Sequence, residues 1–149
     1  MPLLPAFHAA YPDITLDLRL SDTRVDLIEG SFDLALRSAP LTDSSLKGRK
    51  LGDDRRVFCA APAYLEQRGT PRAPADLDGH DLLSWGTAAP RQFAAGAERF
   101  TLDPRRMICR TILNDGTAQR IATLAGGGIS VNSLWSVAAD IRAGRLVHL

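Results

Sequence analysis

Residues 107–131 read MICRTILNDGTAQRIATLAGGGISV, and this stretch decides the class of fold. Its first seven residues are mostly apolar, which indicates a strand. Asn114 and Asp115 are residue types that begin helices, and the glycine run 126–128 is typical of a helix end. Residues 128–131 then indicate a second strand. The helical positions that we expect to face the core are Ala118, Ile121, Ala122 and Ala125.

The beginning of the chain repeats this pattern over residues 14–37. Apolar and polar residues alternate over residues 14–20, which predicts a strand. Ser21 and Asp22 can cap a short helix, and residues 32–37 form another apolar run that predicts a strand. A connection of this length is too long for a hairpin and suits a right-handed parallel crossover. Two such strand–helix–strand units predict an α/β fold.

The remaining elements complete two βα lobes. We expect a helix from Leu134 that Gly144 closes, and the other predicted elements are strands 56–61 and 82–85, a helix at 63–67, and a hairpin of 91–94 with 99–102. Lobe I comprises residues 1–59 and lobe II comprises residues 60–145. Residues 56–61 and 146–149 can join the lobes as hinge strands, which is the plan of a hinged binding protein.

Polar residues stand where the predicted strands end and the helices begin. Ligands of open parallel sheets bind outside the carboxyl ends of the strands, where helix N-termini point. If the two lobes face each other, the polar turns of both converge on one cleft. One of these turns is the pair Asn132 and Ser133. The residues that we predict to line the cleft are Ser21, Asp22, Arg37, Ser38, Trp85, Asn114, Asp115, Gly116 and Asn132.

Two of these residues admit two interpretations. Arg37 ends an apolar strand, so its side chain is either solvated there or provides a cation for a carboxylate ligand, which a guanidinium binds with two hydrogen bonds. Trp85 and Trp135 are residues that we expect in the core, but Trp85 ends a strand before Gly86 and alternatively lines the cleft. Binding by Arg37 would make the ligand an organic anion.

Composition excludes several classes of protein. The chain has 149 residues, 45% of them hydrophobic, and a formal net charge of +1, which argues against non-specific binding of nucleic acid. We find no apolar stretch of membrane-spanning length and no secretory signal pattern, so we expect a cytoplasmic protein. Cys59 and Cys109 lie in apolar runs, which favours two buried free thiols and leaves a disulfide open.

The sequence shows no catalytic constellation. The motifs G-x-S-x-G, G-x-x-x-x-G-K-[ST] and H-E-x-x-H do not occur. The histidines are scattered along the chain, at His8, His80 and His148. Asp53 and Asp54 are paired carboxylates beside Arg55 and Arg56, and we interpret them as a solvated charge cluster rather than an acid–base pair. We therefore predict no metal, no cofactor and no enzymatic activity.

Several runs of sequence carry a family resemblance. They include Tyr11-Pro12-Asp13-Ile14, residues 32–37, residues 60–65, residues 125–129 and residues 143–147. In this order and spacing they resemble the effector-binding domain of LysR-type transcriptional regulators. The resemblance implies a type 2 periplasmic-binding-protein-like fold, with two lobes around a cleft for a small effector that is often an organic anion.

The resemblance also implies a site and a partner. Ser21, Asp22, Arg37 and the turn 114–116 would border the cleft. Two such domains would pair as a dimer, with the helix at residues 3–10 of one beside the helix at residues 117–125 of the other. Effector binding would shift lobe closure and so the geometry of the attached DNA-binding units, provided that the effector favours one state over the other.

The chain also departs from the family pattern. The winged helix-turn-helix and linker helix of the family are absent from these residues, so we expect DNA contact only through that missing segment. We also expect lobe I to be incomplete, because its first strand and its C-terminal return are missing, as in a fragment. The alternatives are a stand-alone small-solute-binding protein, which the missing secretory signal disfavours, and an enzyme of the same architecture.

Overall fold

The second half of the chain forms a mixed β-sheet covered on both faces. The structure is a computed structural model that describes residues 3–21, 32–38, 47–86, 89–95 and 98–149. The strands are β1 Arg56–Ala60, β2 Asp81–Trp85, β3 Arg91–Ala95, β4 Glu98–Leu102, β5 Ile108–Leu113, β6 Ile129–Ser133 and β7 Val147–His148. The α-helices are α1 Leu4–Ala10, α2 Pro62–Arg68, α3 Gly116–Leu124 and α4 Leu134–Arg142, with short 3₁₀ helices at Pro74–Leu77 and Pro104–Arg106.

Within these residues the sheet has five strands in the order β5-β2-β6-β1-β7. Strand β2 is parallel to both β5 and β6, so the predicted parallel unit β5–α3–β6 is confirmed. Strand β1 is antiparallel to both β6 and β7. The predicted hairpin forms from β3 and β4 and pairs Phe93 with Phe100. The start of β1 therefore lies beside the ends of the parallel strands.

Alternating side chains of the sheet contribute to two separate cores. On one face, Phe58 and Ala60 of β1 pack with α2 and the hairpin, and the Phe58 and Phe93 ring centroids are 4.8 Å apart. On the other face, Val57 and Cys59 pack with Val137 of α4. Both faces of the sheet are thus covered at the central strand β1, as expected for an α/β layer arrangement, whereas the edge strand β5 is partly exposed.

A buried polar layer lies between α3 and the sheet. Thr123 Oγ1 donates to the Gln119 carbonyl at 2.7 Å and lies 2.6 Å from Ser130 Oγ. Gln119 Nε2 donates to the Leu83 carbonyl at 2.8 Å. The helix therefore turns Gln119 and Thr123 inward, and Ile121, which we predicted to face the core, is 57% exposed. That prediction was wrong because hydrogen bonds, rather than apolar contact, orient this face of the helix.

Asp140 ties α4 to its surroundings by charge. Its fully buried carboxylate accepts from Arg120 Nε of α3 at 2.5 Å and from Arg145 Nη2 at 2.8 Å. The hydrogen bond from Arg120 is the largest cause that lowers the Asp140 pKa below its ordinary value. A buried carboxylate is tolerated only when it is paired in this way.

The first part of the chain forms less regular structure than we expected. Among the described residues, neither segment 14–20 nor segment 32–38 pairs with a strand. Leu20 and Leu34 are each 83% exposed. Alternation favours an extended backbone with one apolar face, but a strand also needs a hydrogen-bonded neighbour. The helix predicted after Ser21 lies outside the described residues. The division into lobes at residue 59 remains a prediction.

Replacing Gly128 with alanine should destabilise the fold strongly. Gly128 has φ +140°, and a Cβ there would lie 2.6 Å from the Asp81 carbonyl oxygen. We expect Gly128→Ala to lower the free energy of unfolding by about 2–4 kcal/mol, measured by urea denaturation. Gly52→Ala is the control, because an added Cβ at Gly52 meets no atom within 4 Å. Equal denaturation midpoints for the two variants would contradict this assignment.

Acidification should weaken the fold through His80. Burial, with a smaller effect of Arg68, lowers the His80 pKa below 6.5, and its Nδ1 lies 3.0 Å from Tyr64 Oη. The folded state disfavours the imidazolium. The stability that neutral His80 contributes is therefore fully present above pH 6.5, and it is lost as the pH falls through the lowered pKa of the folded state. Urea midpoints at about pH 7.5 and about pH 5 measure this loss.

In that experiment His80→Asn should show a smaller loss of stability on acidification than the wild type does. The control variant is His148→Asn, which replaces an exposed histidine with the same residue. An unchanged pH dependence in His80→Asn would exclude His80 as the responsible group.

Candidate functional site

The carboxyl ends of the three parallel strands meet at one edge of the sheet. Trp85 at the end of β2 pairs with Leu113 at the end of β5. Leu83 of β2 pairs with Ser130 of the parallel strand β6. Two residues further along both strands, Trp85 therefore lies level with Asn132, near the end of β6. We call this side of the sheet the carboxyl edge, defined by Trp85, Leu113 and Ser133. Helices α3 and α4 both begin there, as the sequence predicted.

The turn 114–116 connects β5 to α3 at the carboxyl edge. Asp115 is the N-cap of the helix, and its Oδ1 accepts from the Ala118 amide at 2.6 Å. A capping carboxylate beside a helix N-terminus is stabilised by the partial positive charge there. Asn114 is exposed and Gly116 is half-buried. The Asp115 carboxylate is therefore engaged by the helix backbone, and the exposed Asn114 amide lies beside it in the same turn.

Ser133 and Arg56 lie side by side at the same edge. They are partners in the β1–β6 register, and Arg56 Nη1 donates to Ser133 Oγ at 3.3 Å. Ser133 is the N-cap of α4, yet its hydroxyl makes no capping bond and instead donates to Asp54 Oδ2 at 2.7 Å. The Leu134 amide donates to the Arg55 carbonyl at 2.7 Å. Residues 54–56 are thus held against the start of α4.

The segment 32–38 reaches this edge through the Ser38 side chain. Ser38 Oγ donates to Asp54 Oδ2 at 2.6 Å, so a single carboxylate oxygen accepts from Ser38 and from Ser133. Arg37 is exposed directly before Ser38. The predicted residue Ser38 therefore comes to the carboxyl edge, and Arg37 precedes it in the chain. Ser21 is exposed at the end of its described range, and Asp22 lies outside the described residues.

Neither Trp85 nor Trp135 is fully buried, although we expected both in the core. Trp85 is half-buried and borders a cavity of about 30 Å³, and Arg91 Nη2 donates to its carbonyl at 3.1 Å. Such a volume holds about two water molecules, and an organic ligand needs far more. Trp135, at the second position of α4, is 77% exposed. The prediction of a core position for Trp135 was wrong, because it projects from the first turn of a helix at the sheet edge.

Asn132 is inside the protein rather than at the surface of the edge. It is 2% exposed, and its Nδ2 donates to Ser130 Oγ at 2.7 Å and to Cys59 Sγ at 3.6 Å. A ligand outside the carboxyl edge would meet Ser133 rather than Asn132. Cys59 is buried and free, and burial raises the pKa of its thiol. Cys109, which we expected to be buried, is a half-buried free thiol in β5.

Sequence reasoning missed Asp54 and Arg56 as residues of this edge. They were interpreted as part of a solvated cluster because they stand in a charged loop. The signal that could have found them is the direction of β1, since an antiparallel strand starts where its parallel neighbours end. That direction depends on pairing between residues far apart in sequence, which local patterns do not encode.

A metal-binding cluster and a membrane-spanning helix are both absent from the described ranges. Across its described ranges, no three His, Cys, Asp or Glu side chains lie close enough to hold a metal ion. In those ranges no helix has both the length and the apolar character that crossing a membrane requires. The carboxyl edge collects the Ser133 hydroxyl, the Arg56 guanidinium and the N-termini of α3 and α4, which are groups that bind anions, together with the carboxylates of Asp54 and Asp115.

Comparison with known proteins gives a consistent family. The sequence profile of the LysR substrate binding domain matches residues 1–149. The HTH-type transcriptional regulator CrgA of Neisseria meningitidis serogroup C (strain 8013) is 36% identical over 152 aligned residues, which cover 99% of this chain and 49% of CrgA. The HTH-type transcriptional activator AaeR of Escherichia coli (strain K12) is 33% identical over 136 residues, covering 91% of this chain and 44% of AaeR.

Solved structures give the same result. The structure of CrgA, a LysR-type transcriptional regulator from Neisseria meningitidis, matches with a TM-score of 0.84 at 33% identity, covering 99% of this chain and 50% of that chain. The chain thus spans about half the length of the curated relatives it matches. The predicted α/β fold of the type 2 periplasmic-binding-protein-like class is confirmed. This chain belongs to the LysR substrate binding domain family, the effector-binding domain of LysR-type transcription regulators.

Proposed function

We propose that this domain binds a small organic anion at the carboxyl edge and so acts as the sensor of a longer, DNA-binding regulator. The observation that carries the proposal is the β1–β6 register, which places Arg56 and Ser133 together at the edge where the parallel strands end. Ligands of open α/β sheets bind at this side of the strands. The hydrogen bond from Ser38 to Asp54 adds the polar end of segment 32–38 to the same place.

Two kinds of positive group at the site favour an anionic ligand, and they lie beside the carboxylates of Asp54 and Asp115. Helices α3 and α4 both direct their N-termini to the carboxyl edge, where partial positive charge favours anions. Arg37 and Arg56 are guanidinium groups that can bind a carboxylate by charge-assisted hydrogen bonds. The residues that we propose around the ligand are Ser21, Asp22, Arg37, Ser38, Arg56, Trp85, Asn114, Gly116 and Ser133, with Asp115 as the cap that fixes the turn.

Sensing requires that the effector distinguish two arrangements of the lobes. A ligand shifts a conformational equilibrium only by its difference in affinity for the two states. Contact with Ser38 on one side and Ser133 on the other would give that difference, since only some arrangements bring both to the ligand. We place this domain in the cytoplasm, assign it no catalytic step, and attribute DNA binding to another part of the regulator.

We also propose that two copies pair through α1 and α3. Helix α1 buries none of its own side chains, and Leu3 just before it is 79% exposed. On α3, Ile121 is 57% exposed, and Ile112 on β5 is 61% exposed. A second copy that packs α1 against α3 would bury apolar side chains that are exposed in the single chain.

Replacing Arg37 should weaken binding of a test anion. We choose benzoate as a small carboxylate with an apolar body and expect Arg37→Ala to reduce its affinity by about tenfold or more, the usual cost of a lost charge-assisted hydrogen bond. Isothermal titration calorimetry measures the dissociation constant. The control is Arg142→Ala, because Arg142 lies at the other end of α4 and away from the carboxyl edge. Equal benzoate affinities in the two variants would remove Arg37 from the site.

A charge placed on α3 should separate the dimer. Ile121→Glu puts a carboxylate into the proposed apolar contact, and we expect it to raise the dimer dissociation constant by at least about tenfold, since burying an unpaired charge is costly. Multi-angle light scattering over a dilution series gives the molecular mass. Ala139→Glu adds the same charge at an exposed position of α4 and should leave the mass unchanged. A dimer that survives Ile121→Glu would argue for a different interface.

A further inference from the structure

Asp54 joins two distant parts of the chain through one oxygen atom. Its Oδ2 accepts from Ser38 Oγ, 16 residues away, at 2.6 Å and from Ser133 Oγ, 79 residues away, at 2.7 Å. Hydroxyl-to-carboxylate hydrogen bonds of this length are charge-assisted and stronger than neutral ones. The acidic side chain is therefore a specific link between segment 32–38 and the start of α4.

Asp54 is held in place by its connection to strand β1. The next residues are fixed there, because the Arg55 carbonyl accepts from the Leu134 amide at 2.7 Å and Arg56 pairs with Ser133 in the sheet. A carboxylate beside the first turn of α4 also gains from the helix dipole. Segment 32–38, in contrast, has exposed side chains from Asp33 to Ser38 and no strand pairing to the described residues. Asp54 is thus anchored through its neighbours in the sheet, whereas Ser38 has no strand pairing that would anchor it.

The donors that Asp54 occupies are those that an anionic ligand would use. Ser133 stands at the N-cap of α4, where a serine hydroxyl ordinarily accepts from the helix backbone. Here the hydroxyl instead donates to a carboxylate and itself accepts from Arg56 Nη1 at 3.3 Å. The Asp54 side chain thus stands where the carboxylate of a small molecule could receive the same hydrogen bonds from Ser133 and Ser38.

We propose that Asp54 is an intramolecular competitor of the effector: its carboxylate holds Ser38 against Ser133, and an anionic ligand must displace it from these hydroxyls to bind. This inference rests on the proposed function. It makes Asp54 a residue that sets the ligand concentration at which the domain responds. It also couples binding to the position of segment 32–38, because the ligand then replaces Asp54 as the group that joins Ser38 to Ser133.

The first test compares Asp54→Asn with Asp53→Asn in the full 149-residue chain. Both variants remove one negative charge and keep the size of the side chain. Asp53 is the neighbouring residue, and its carboxylate pairs with Lys50 at 2.5 Å. Benzoate is the probe, and calorimetry gives its dissociation constant for each variant.

Asp54→Asn should bind benzoate about fivefold more tightly than the wild type, the factor that corresponds to removing a like charge about 4 Å away in water. Asp53→Asn should change the affinity by less than twofold, as expected for a solvent-exposed ion pair. Equal or weaker binding by Asp54→Asn overturns the competition. Equal tightening in both variants also overturns it, because the effect would then be one of net charge alone.

A second test needs no ligand and separates this inference from the proposed function. Nitroxide labels are attached at Leu36→Cys and Ala139→Cys in a Cys109→Ser background. Double electron–electron resonance then reports the distance between segment 32–38 and α4. Asp54→Asn should broaden or lengthen that distance distribution, and Asp53→Asn should leave it unchanged. An unchanged distribution in Asp54→Asn overturns the link. If no variant binds benzoate, the proposed function fails for this probe, and the distance measurement alone decides whether Asp54 holds the two segments together.

Discussion

The antiparallel pairing of β1 with β6 is the interaction on which the other features of this domain depend. It sets Arg56 opposite Ser133 and Cys59 opposite Ser130. The alternation along β1 then divides the core, with Val57 facing α4 and Phe58 facing the hairpin. Since β2 and β5 run parallel to β6, the same pairing brings the loop before β1 to the carboxyl ends of all three parallel strands.

Behind the carboxyl edge, polar groups hold the sheet and helices in register. Ser130 Oγ accepts from Asn132 Nδ2 at 2.7 Å and lies 2.6 Å from Thr123 Oγ1, so β6 and α3 share a hydrogen-bonded contact in the interior. In the described residues, every buried side-chain nitrogen and oxygen has a partner. Satisfied polar networks specify one arrangement more sharply than apolar packing does. The edge residues therefore project from a hydrogen-bonded platform, and Ser38 is joined to it through the Asp54 carboxylate.

The sequence predicted the elements of lobe II because their signals are local. Apolar runs predicted β2, β5 and β6, and Asp115 as an N-cap residue predicted the start of α3. What could not be predicted depends on partners far away in sequence. Ile121 is exposed because Gln119 and Thr123 bond inward, and the alternation over residues 14–20 implies an extended chain but supplies no neighbouring strand. Asp54 looked like a solvated charge because its partners lie 16 and 79 residues away.

The most direct measurement of the central claim is a nitrogen–proton correlation spectrum of the labelled domain during titration with benzoate. An anion at the carboxyl edge should shift the amide signals of Gly86, Asn114, Gly116 and Leu134 and the indole signal of Trp85, and leave Gly128 and Gly144 at the other ends of the strands and helices unchanged. Shifts confined to Gly128, Gly144 and their neighbours, or no shift at saturating benzoate, would contradict a ligand site at this edge.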